Sequence, residues 1–213
     1  MIPNHVAVIM DGNARWAKLH KVSKNVGYKE GIKSFERLVK ICINLQIKIL
    51  TVFTLSTENT KRKDINILYS LIREFIKKNK DLNQFNEIEF RLIGDRSNIS
   101  VDILNYFQEL ENKVNSDKKL ILNLAYNYGS WNELENCIKA IINQYSKNNN
   151  LIINEKKIKN NLFTKDLPDP DILIRTGGNK RLSNFLLLQL KYTELFFIDE
   201  LWPDFNEITF KKI

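Results

Sequence analysis

An α/β fold, with a mostly parallel central sheet of about six strands surrounded by helices, is the class this sequence predicts, on three observations. Short apolar runs alternate with longer amphipathic ones, the rhythm of strands joined by helical crossovers. The seven glycines fall mostly just after the short runs or at the start of the long ones, where a turn or close backbone approach is needed. The chain has 213 residues, 43% of them hydrophobic and 27% charged, which suits one domain with a substantial core. In order, the strands are expected at 6–10, 49–55, 89–93, 120–125, 171–175 and 195–198. Helices with apolar residues at three- and four-residue spacing are expected at 28–45, 65–78, 101–114 and 131–145. Ser130 and Glu133 have the spacing of a capping box at the start of the last of these helices. Asn148, Asn149 and Asn150 read as a surface loop.

Composition narrows the partners. A formal charge of +8 favours an anion, whether a diphosphate, a nucleic acid or an acidic membrane surface, and does not choose among them. The lysine pairs Lys77-Lys78, Lys118-Lys119 and Lys156-Lys157 read as solvated faces, and the sequence carries no recognised nucleic-acid module. Cys42 and Cys137 sit far apart inside apolar helical patterns, as small buried hydrophobes in a reducing cytoplasm would. With two histidines, a histidine-built metal site is disfavoured, and magnesium on oxygen ligands fits better than zinc. The chain enters its first strand without a basic leader, and no apolar run reaches the roughly 18 residues of a membrane span.

The strand ends carry the chemistry. The run Val6–Met10 delivers Asp11, Gly12, Asn13, Ala14, Arg15 and Trp16 to one point. A helix beginning there would turn its unpaired N–H groups toward an anion. Asp11 has two readings: a cap for that helix, or a ligand to a hard cation such as Mg²⁺ bridging to phosphate. The second strand gives Ser56, Thr57, Glu58 and Asn59, then Arg62; the fifth gives Arg175, Thr176, Gly177 and Gly178, with Arg181 and Ser183 close behind. Lysine outnumbers arginine 25 to 8, so arginines gathered in these segments stand out as planar forks suited to phosphate. If the strands are parallel, the three groups share the carboxyl edge of the sheet. Asp166, Asp169 and Asp171 could suggest a metal cluster, but Pro168 and Pro170 between them favour a turn entering a strand. The stripe Ile65, Leu68, Ile72, Phe75 and Ile76 fits either a lipid tunnel or ordinary core.

The segments His5–Asn13, Ser56–Asn59, Ile172–Gly178 and Arg181–Leu186 resemble the cis-prenyltransferase family, of the undecaprenyl diphosphate synthase type. Asn123–Gly129 and Tyr192–Phe205, including Leu201-Trp202-Pro203-Asp204, extend the resemblance over nearly the whole chain in the expected order. It implies condensation of isopentenyl diphosphate onto an allylic diphosphate such as farnesyl diphosphate, with a cis double bond made at each step. The implied product is a long polyprenyl diphosphate, precursor of a cell-wall lipid carrier. By the same resemblance Asp11 is the catalytic carboxylate and a magnesium ligand, and Gly12, Asn13, Ala14 and Arg15 cradle the allylic diphosphate with Trp16 beside them. Asn59 assists proton removal, and Ser56, Thr57, Glu58, Thr60 and Arg62 line the reaction zone. Arg175, Arg181, Leu182 and Ser183 bind isopentenyl diphosphate, and Glu194 is the second magnesium ligand, in one reading donated across a dimer. A cytoplasmic homodimer that meets the membrane peripherally through its product, and binds no nucleic acid, follows as an expectation.

Four positions depart from the family pattern. Lys24 and Tyr28 replace an arginine and a histidine at the allylic diphosphate, Thr60 replaces an aromatic residue, and Asn179 replaces an acidic one. Lysine keeps the charge but loses the fork; tyrosine keeps a hydrogen-bonding group but not a positive charge. The resemblance also leads one to expect a single domain over 1–213 that stops before the family's terminal helix and arginine-containing tail. A non-catalytic, partner-dependent subunit is therefore the alternative of a second class, and a basic nucleic-acid-binding protein, with salt-sensitive binding, a third.

Overall fold

The computed structural model describes residues 2–58, 65–78, 86–97, 99–113, 117–146 and 151–213. The chain runs β1 (His5–Ile9), α1 (Asn13–Leu19), α2 (Lys24–Asn44), β2 (Ile49–Ser56), α3 (Ile65–Lys78), β3 (Ile88–Ile93) and α4 (Val101–Asn112). It continues through β4 (Leu120–Tyr128), α5 (Ser130–Tyr145), α6 (Glu155–Lys159), β5 (Ile172–Arg175) and β6 (Glu194–Phe197), then a 3-10 turn (Trp202–Asp204) and α7 (Glu207–Lys211). The strands form one sheet in the order β3-β4-β2-β1-β5-β6, and each neighbouring pair is parallel. The α/β class and the six expected strands are thus present, and α1, missing from the expected helices, fills the gap between Gly12 and α2.

Burial on both faces makes β1 the spine. All five of its residues are buried; Val6 and Val8 join one apolar cluster, with Leu38, Cys42, Ile103 and Trp202, while Ala7 and Ile9 join another, with Tyr128, Leu173 and Phe185. This two-residue alternation is the pleat of a central strand covered on both sides. Cys42 and Cys137 are free and buried, as the sequence suggests. Burial pushes the Cys42 thiol up to about 12, which leaves it without thiolate reactivity near neutral pH.

Two local expectations change. The capping box is absent: α5 starts at Ser130 after Gly129, with no side-chain cap from its N-cap residue. Glu133 is fully buried, accepting hydrogen bonds from Tyr128 Oη at 2.6 Å, Gln189 Nε2 at 2.9 Å and the Phe163 amide at 2.8 Å. Tertiary partners have taken the glutamate that a local box would have used. β2 and β4 run to Ser56 and Tyr128, beyond their expected ends, with register shifts around Thr54 whose Oγ1 donates to the Ala125 carbonyl at 2.8 Å. Such an irregularity re-aims the strand end, here Ser56. The aspartates before β5 make a turn, as the prolines imply: Asp171 Oδ2 accepts from the Asn4 and His5 amides, and Asp169 pairs with Lys159. The loop at Asn148–Asn150 lies outside the described residues.

Candidate active site

From β1 the chain crosses one way to β2, and from β5 the other way to β6, so β1 and β5 flank a switch point of the sheet. Ligands in open parallel sheets bind outside the carboxyl ends at such a point. The register sets Ile9 level with both Phe53 and Arg175, which brings the three predicted segments to one edge.

Asp11 is the centre of this edge. Arg15 donates to its Oδ1 at 3.0 Å, while Arg175 and Asn179 each donate to Oδ2 at 2.9 Å. Burial alone would push the Asp11 carboxyl up; the hydrogen bonds from Arg175, Asn179 and Arg15 outweigh it and hold the group below its ordinary value. The Asp11 carbonyl accepts from Thr176 Oγ1 at 2.7 Å and the Trp202 amide at 3.1 Å, so the backbone is pinned from two sides. Asp11 therefore does not cap α1, whose N-cap is Gly12 with no side-chain cap. Gly12 has φ 126°, and a Cβ there would lie 3.0 Å from the Trp202 amide nitrogen, so a larger residue is excluded on both counts.

Arg175 is the buried arm. Only 4% of its side chain is exposed. One terminal nitrogen reaches Asp11; the other donates to Ser183 Oγ at 2.8 Å and to the Arg181 carbonyl. Its Nε has no partner among the described residues. Arg181 is exposed and touches Asn179 Oδ1 at 3.1 Å. Asn179, a departure not expected as a site residue, donates to Asp11, where the acid usual in the family would repel it.

These groups form the mouth of a cavity of about 1390 Å³. That exceeds the roughly 300–1,000 Å³ of ordinary small-molecule pockets. Asp11, Gly12, Asn13, Ala14, Arg15, Tyr28, Ser56, Glu58, Arg175, Arg181 and Ser183 line the cavity, whose other end is walled by Ile43, Ile88, Phe90, Phe107, Leu110 and Leu122. Ile88 opens β3 at the amino edge of the sheet, so the cavity runs the length of the strands from a charged mouth to a mostly apolar far part, which Glu36, Lys40 and Glu87 also line. Ile72 and Phe75 line it, and Ile72 also packs against the main core cluster. The side chains of Ile65, Leu68 and Ile76 lie outside the described residues.

Other predicted residues are placed differently. Trp16 is not among the described liners; its ring stacks on His20 with centroids 3.9 Å apart, and its Nε1 donates to Asp204 at 2.7 Å. Leu182 packs against the apolar cluster around Tyr128 and Phe185. Lys24 is exposed on the first turn of α2, and Thr57 lies just past β2. Asn59, Thr60 and Arg62 lie outside the described residues. Glu194 is exposed at the first residue of β6, level with Ile172, three residues or roughly 10 Å below Arg175 along the strands. Within one chain it is therefore not brought to Asp11. In Leu201-Trp202-Pro203-Asp204, Trp202 is buried and reaches the cavity lining; its Nε1 donates to the Gly31 carbonyl at 2.8 Å and its amide to the Asp11 carbonyl, tying α2 to the Asp11 loop.

Among the described residues, no group of three or more His, Cys, Asp or Glu side chains could hold a metal ion, and no helix is long and apolar enough to cross a membrane. A single ionised carboxylate beside a diphosphate still fits magnesium, which usually takes one or two protein carboxylates and completes its shell with phosphate oxygens and water.

Comparison with known proteins agrees with this geometry. Residues 9–213 match a family model described as "Putative undecaprenyl diphosphate synthase". An isoprenyl transferase of Helicobacter pylori is 41% identical over 205 residues, covering 95% of this chain and 88% of the relative. One of Thermotoga maritima is 37% identical, covering 98% and 91%. Among solved structures, lavandulyl diphosphate synthase from Lavandula x intermedia in complex with dimethylallyl diphosphate superposes with a TM-score of 0.92 at 30% identity, covering 99% of this chain and 93% of that one. A probable undecaprenyl diphosphate synthase from Campylobacter jejuni gives 0.79 at 31% identity, covering 99% and 92%.

Proposed function

Because the chain belongs to the undecaprenyl diphosphate synthase family of prenyltransferases, we propose that its cavity elongates an allylic diphosphate, such as farnesyl diphosphate, with isopentenyl diphosphate units to a long polyprenyl diphosphate. The observation that carries this reading is the polarity of one continuous cavity: a mouth of Asp11, Arg15, Arg175 and Ser183 suited to diphosphates, leading to a mostly apolar interior of Phe53, Ile72, Phe90, Phe107, Leu122 and Leu124 suited to a hydrocarbon tail.

In each turn the isopentenyl double bond attacks the first carbon of the allylic chain, the carbon–oxygen bond to diphosphate breaks, and a proton leaves the new unit to form the cis double bond. Charge builds on the departing oxygen, so donors held in place before the reaction lower its barrier. The Gly12–Arg15 segment faces the allylic diphosphate. The Arg175 guanidinium, fixed by Asp11 and Ser183, and the exposed Arg181 face the isopentenyl diphosphate. Asn59, an amide and a poor base in water, serves the proton transfer by position, with diphosphate as the acceptor. Asp11 would hold Mg²⁺, which when bound neutralises diphosphate charge.

Glu194, exposed at the far end of β5–β6, would join that ion from a second copy of the chain. A homodimer is supported by the exposed apolar stripe Trp131, Ile138, Ile142 and Tyr145 on α5. Contact with the membrane would be peripheral and made through the product. The test is incubation of the purified chain with magnesium, farnesyl diphosphate and labelled isopentenyl diphosphate, with lipid products separated by length. Elongated products support the reading; a folded chain that makes none overturns it in favour of a partner-dependent subunit.

A further inference from the structure

We propose that Asn184 is a positioning residue that locks the isopentenyl diphosphate side of the site to the end of β2 and to the start of α5. The inference rests on the proposed function and extends it to Asn184, which lines the cavity beside Ser183 and acts by holding its neighbours in place. Three side-chain-bearing residues near Arg175 adopt left-handed backbone: Ser183 at φ 52°, Asn184 at 61° and Leu186 at 49°. Such a cluster persists only where surrounding contacts over-determine it.

Asn184 supplies those contacts. Its carbonyl accepts from the Ser130 amide at 2.8 Å and from Ser130 Oγ at 3.1 Å, and its Oδ1 accepts from the Trp131 amide at 3.3 Å. These are first-turn amides of α5, which lack partners within the helix. The Leu187 amide returns a bond to Ser130 Oγ at 2.9 Å, closing the loop. The other end of the same side chain, Nδ2, donates to Glu58 Oε1 at 2.9 Å, just beyond β2. A Cβ on Gly129 would sit 2.7 Å from that nitrogen and 2.8 Å from Thr57 Oγ1, so glycine there is what lets the three segments meet.

An asparagine combines one acceptor and one donor group on a short stem, as this bridge demands. Ser183, the neighbour whose Oγ takes a bond from Arg175, is thereby fixed. Burial would push the Glu58 carboxyl up; bonds from Asn184 and from its own loop hold it below its ordinary value, so it stays a ready acceptor for the bridge.

The test compares four proteins: the unsubstituted chain, Asn184→Asp, Glu58→Gln, and the two together. Asn184→Asp keeps the acceptor for Trp131 but sets two carboxylates face to face. Adding Glu58→Gln restores the hydrogen bond with its donor and acceptor exchanged. The expected result is that Asn184→Asp raises the KM for isopentenyl diphosphate about tenfold and leaves that for the allylic substrate within about twofold. In the Glu58→Gln background the same substitution should cost no more than about threefold. Asn184→Ala, free of the like-charge pair, should raise the same KM about fivefold and serves if the aspartate variant does not fold. Equal effects of Asn184→Asp in both backgrounds, or no selective change for isopentenyl diphosphate, overturn the inference. An unsubstituted chain that makes no product removes the proposed function, and this inference with it; an active chain whose substitutions are uncoupled removes this inference alone.

Discussion

Strand β1 meets a polar cluster at each end, one shared with β2 and β4 and the other with β5, and the two differ in charge and in exposure to the cavity. At the amino end, His5, Thr51 and Asn123 are sealed, with 2%, 0% and 0% of their surface exposed. The Pro168 carbonyl can only accept, so the contact at 2.8 Å fixes the proton on His5 Nδ1. Nε2 then accepts a hydrogen bond from the Thr51 hydroxyl at 2.7 Å, and Thr51 Oγ1 accepts from Asn123 Nδ2 at 2.9 Å. The cluster is neutral and sealed from solvent, with Asn123 Oδ1 its one side-chain atom without a partner among the described residues. At the carboxyl end, Asp11, Arg15 and Arg175 are charged and face the cavity, Arg175 Nε and Asn13 Oδ1 have no partner among the described residues, and the backbone at Ser183 and Asn184 is left-handed. Strand β1 thus joins a sealed neutral network below and an open charged one above. Substitutions below should cost stability, and substitutions above should cost turnover.

The sharpest contrast comes from Arg175. Arg175→Lys keeps the charge but cannot reach Asp11 and Ser183 together, so kcat/KM for isopentenyl diphosphate should fall by about a hundredfold in steady-state assays. An unchanged value would break the comparison at its upper end. His5→Ala should do the reverse. It strands the Thr51 hydroxyl and the Pro168 carbonyl, costing about 2 kcal/mol in denaturant titration, while kcat per folded molecule stays within about twofold.

A smaller effect concerns pH. Burial pushes the His5 imidazole below its ordinary value, against the weaker opposing effects of the Pro168 carbonyl and the Asp171 and Asp169 carboxylates. The unfolded chain therefore binds this proton more readily than the folded one. The His5 contribution is full above about pH 6.5 and declines as the pH falls below it, by at most about 1.4 kcal/mol per pH unit. Thermal melts across that range should show the decline, and His5→Asn should remove this part of it.

Much of this division was legible in the sequence, because strand ends announce themselves. The run into Asp11-Gly12 and the run into Arg175-Thr176-Gly177 place a carboxylate and an arginine at one edge once the strands are parallel. Residues whose roles depend on distant partners were not legible. Ser130 and Glu133 satisfy a local capping rule, yet the serine is spent on Asn184 and Leu187 and the glutamate on Tyr128, Phe163 and Gln189. Asn184 lies in the Arg181–Leu186 segment that carries the family resemblance, yet its role depends on left-handed backbone and on partners in β2 and α5 that no sequence pattern shows. Glu194 resembles a second magnesium ligand, in one reading donated across a dimer, and the strand register, which puts it at the end of β5–β6 away from Arg175, leaves only that reading. Asn179 stands in the sequence only as a departure from the family pattern, and the structure shows its amide donating to Asp11.

The most direct measurement is diphosphate release from farnesyl diphosphate, with isopentenyl diphosphate and magnesium present, by the unsubstituted chain and by Asp11→Asn, with the thermal midpoint of each protein recorded alongside. Release by the unsubstituted chain that falls at least about a hundredfold in Asp11→Asn, at a midpoint within a few degrees, is the result predicted for a carboxyl edge given over to catalysis. Equal release by the two proteins, or none from the folded unsubstituted chain, would contradict it.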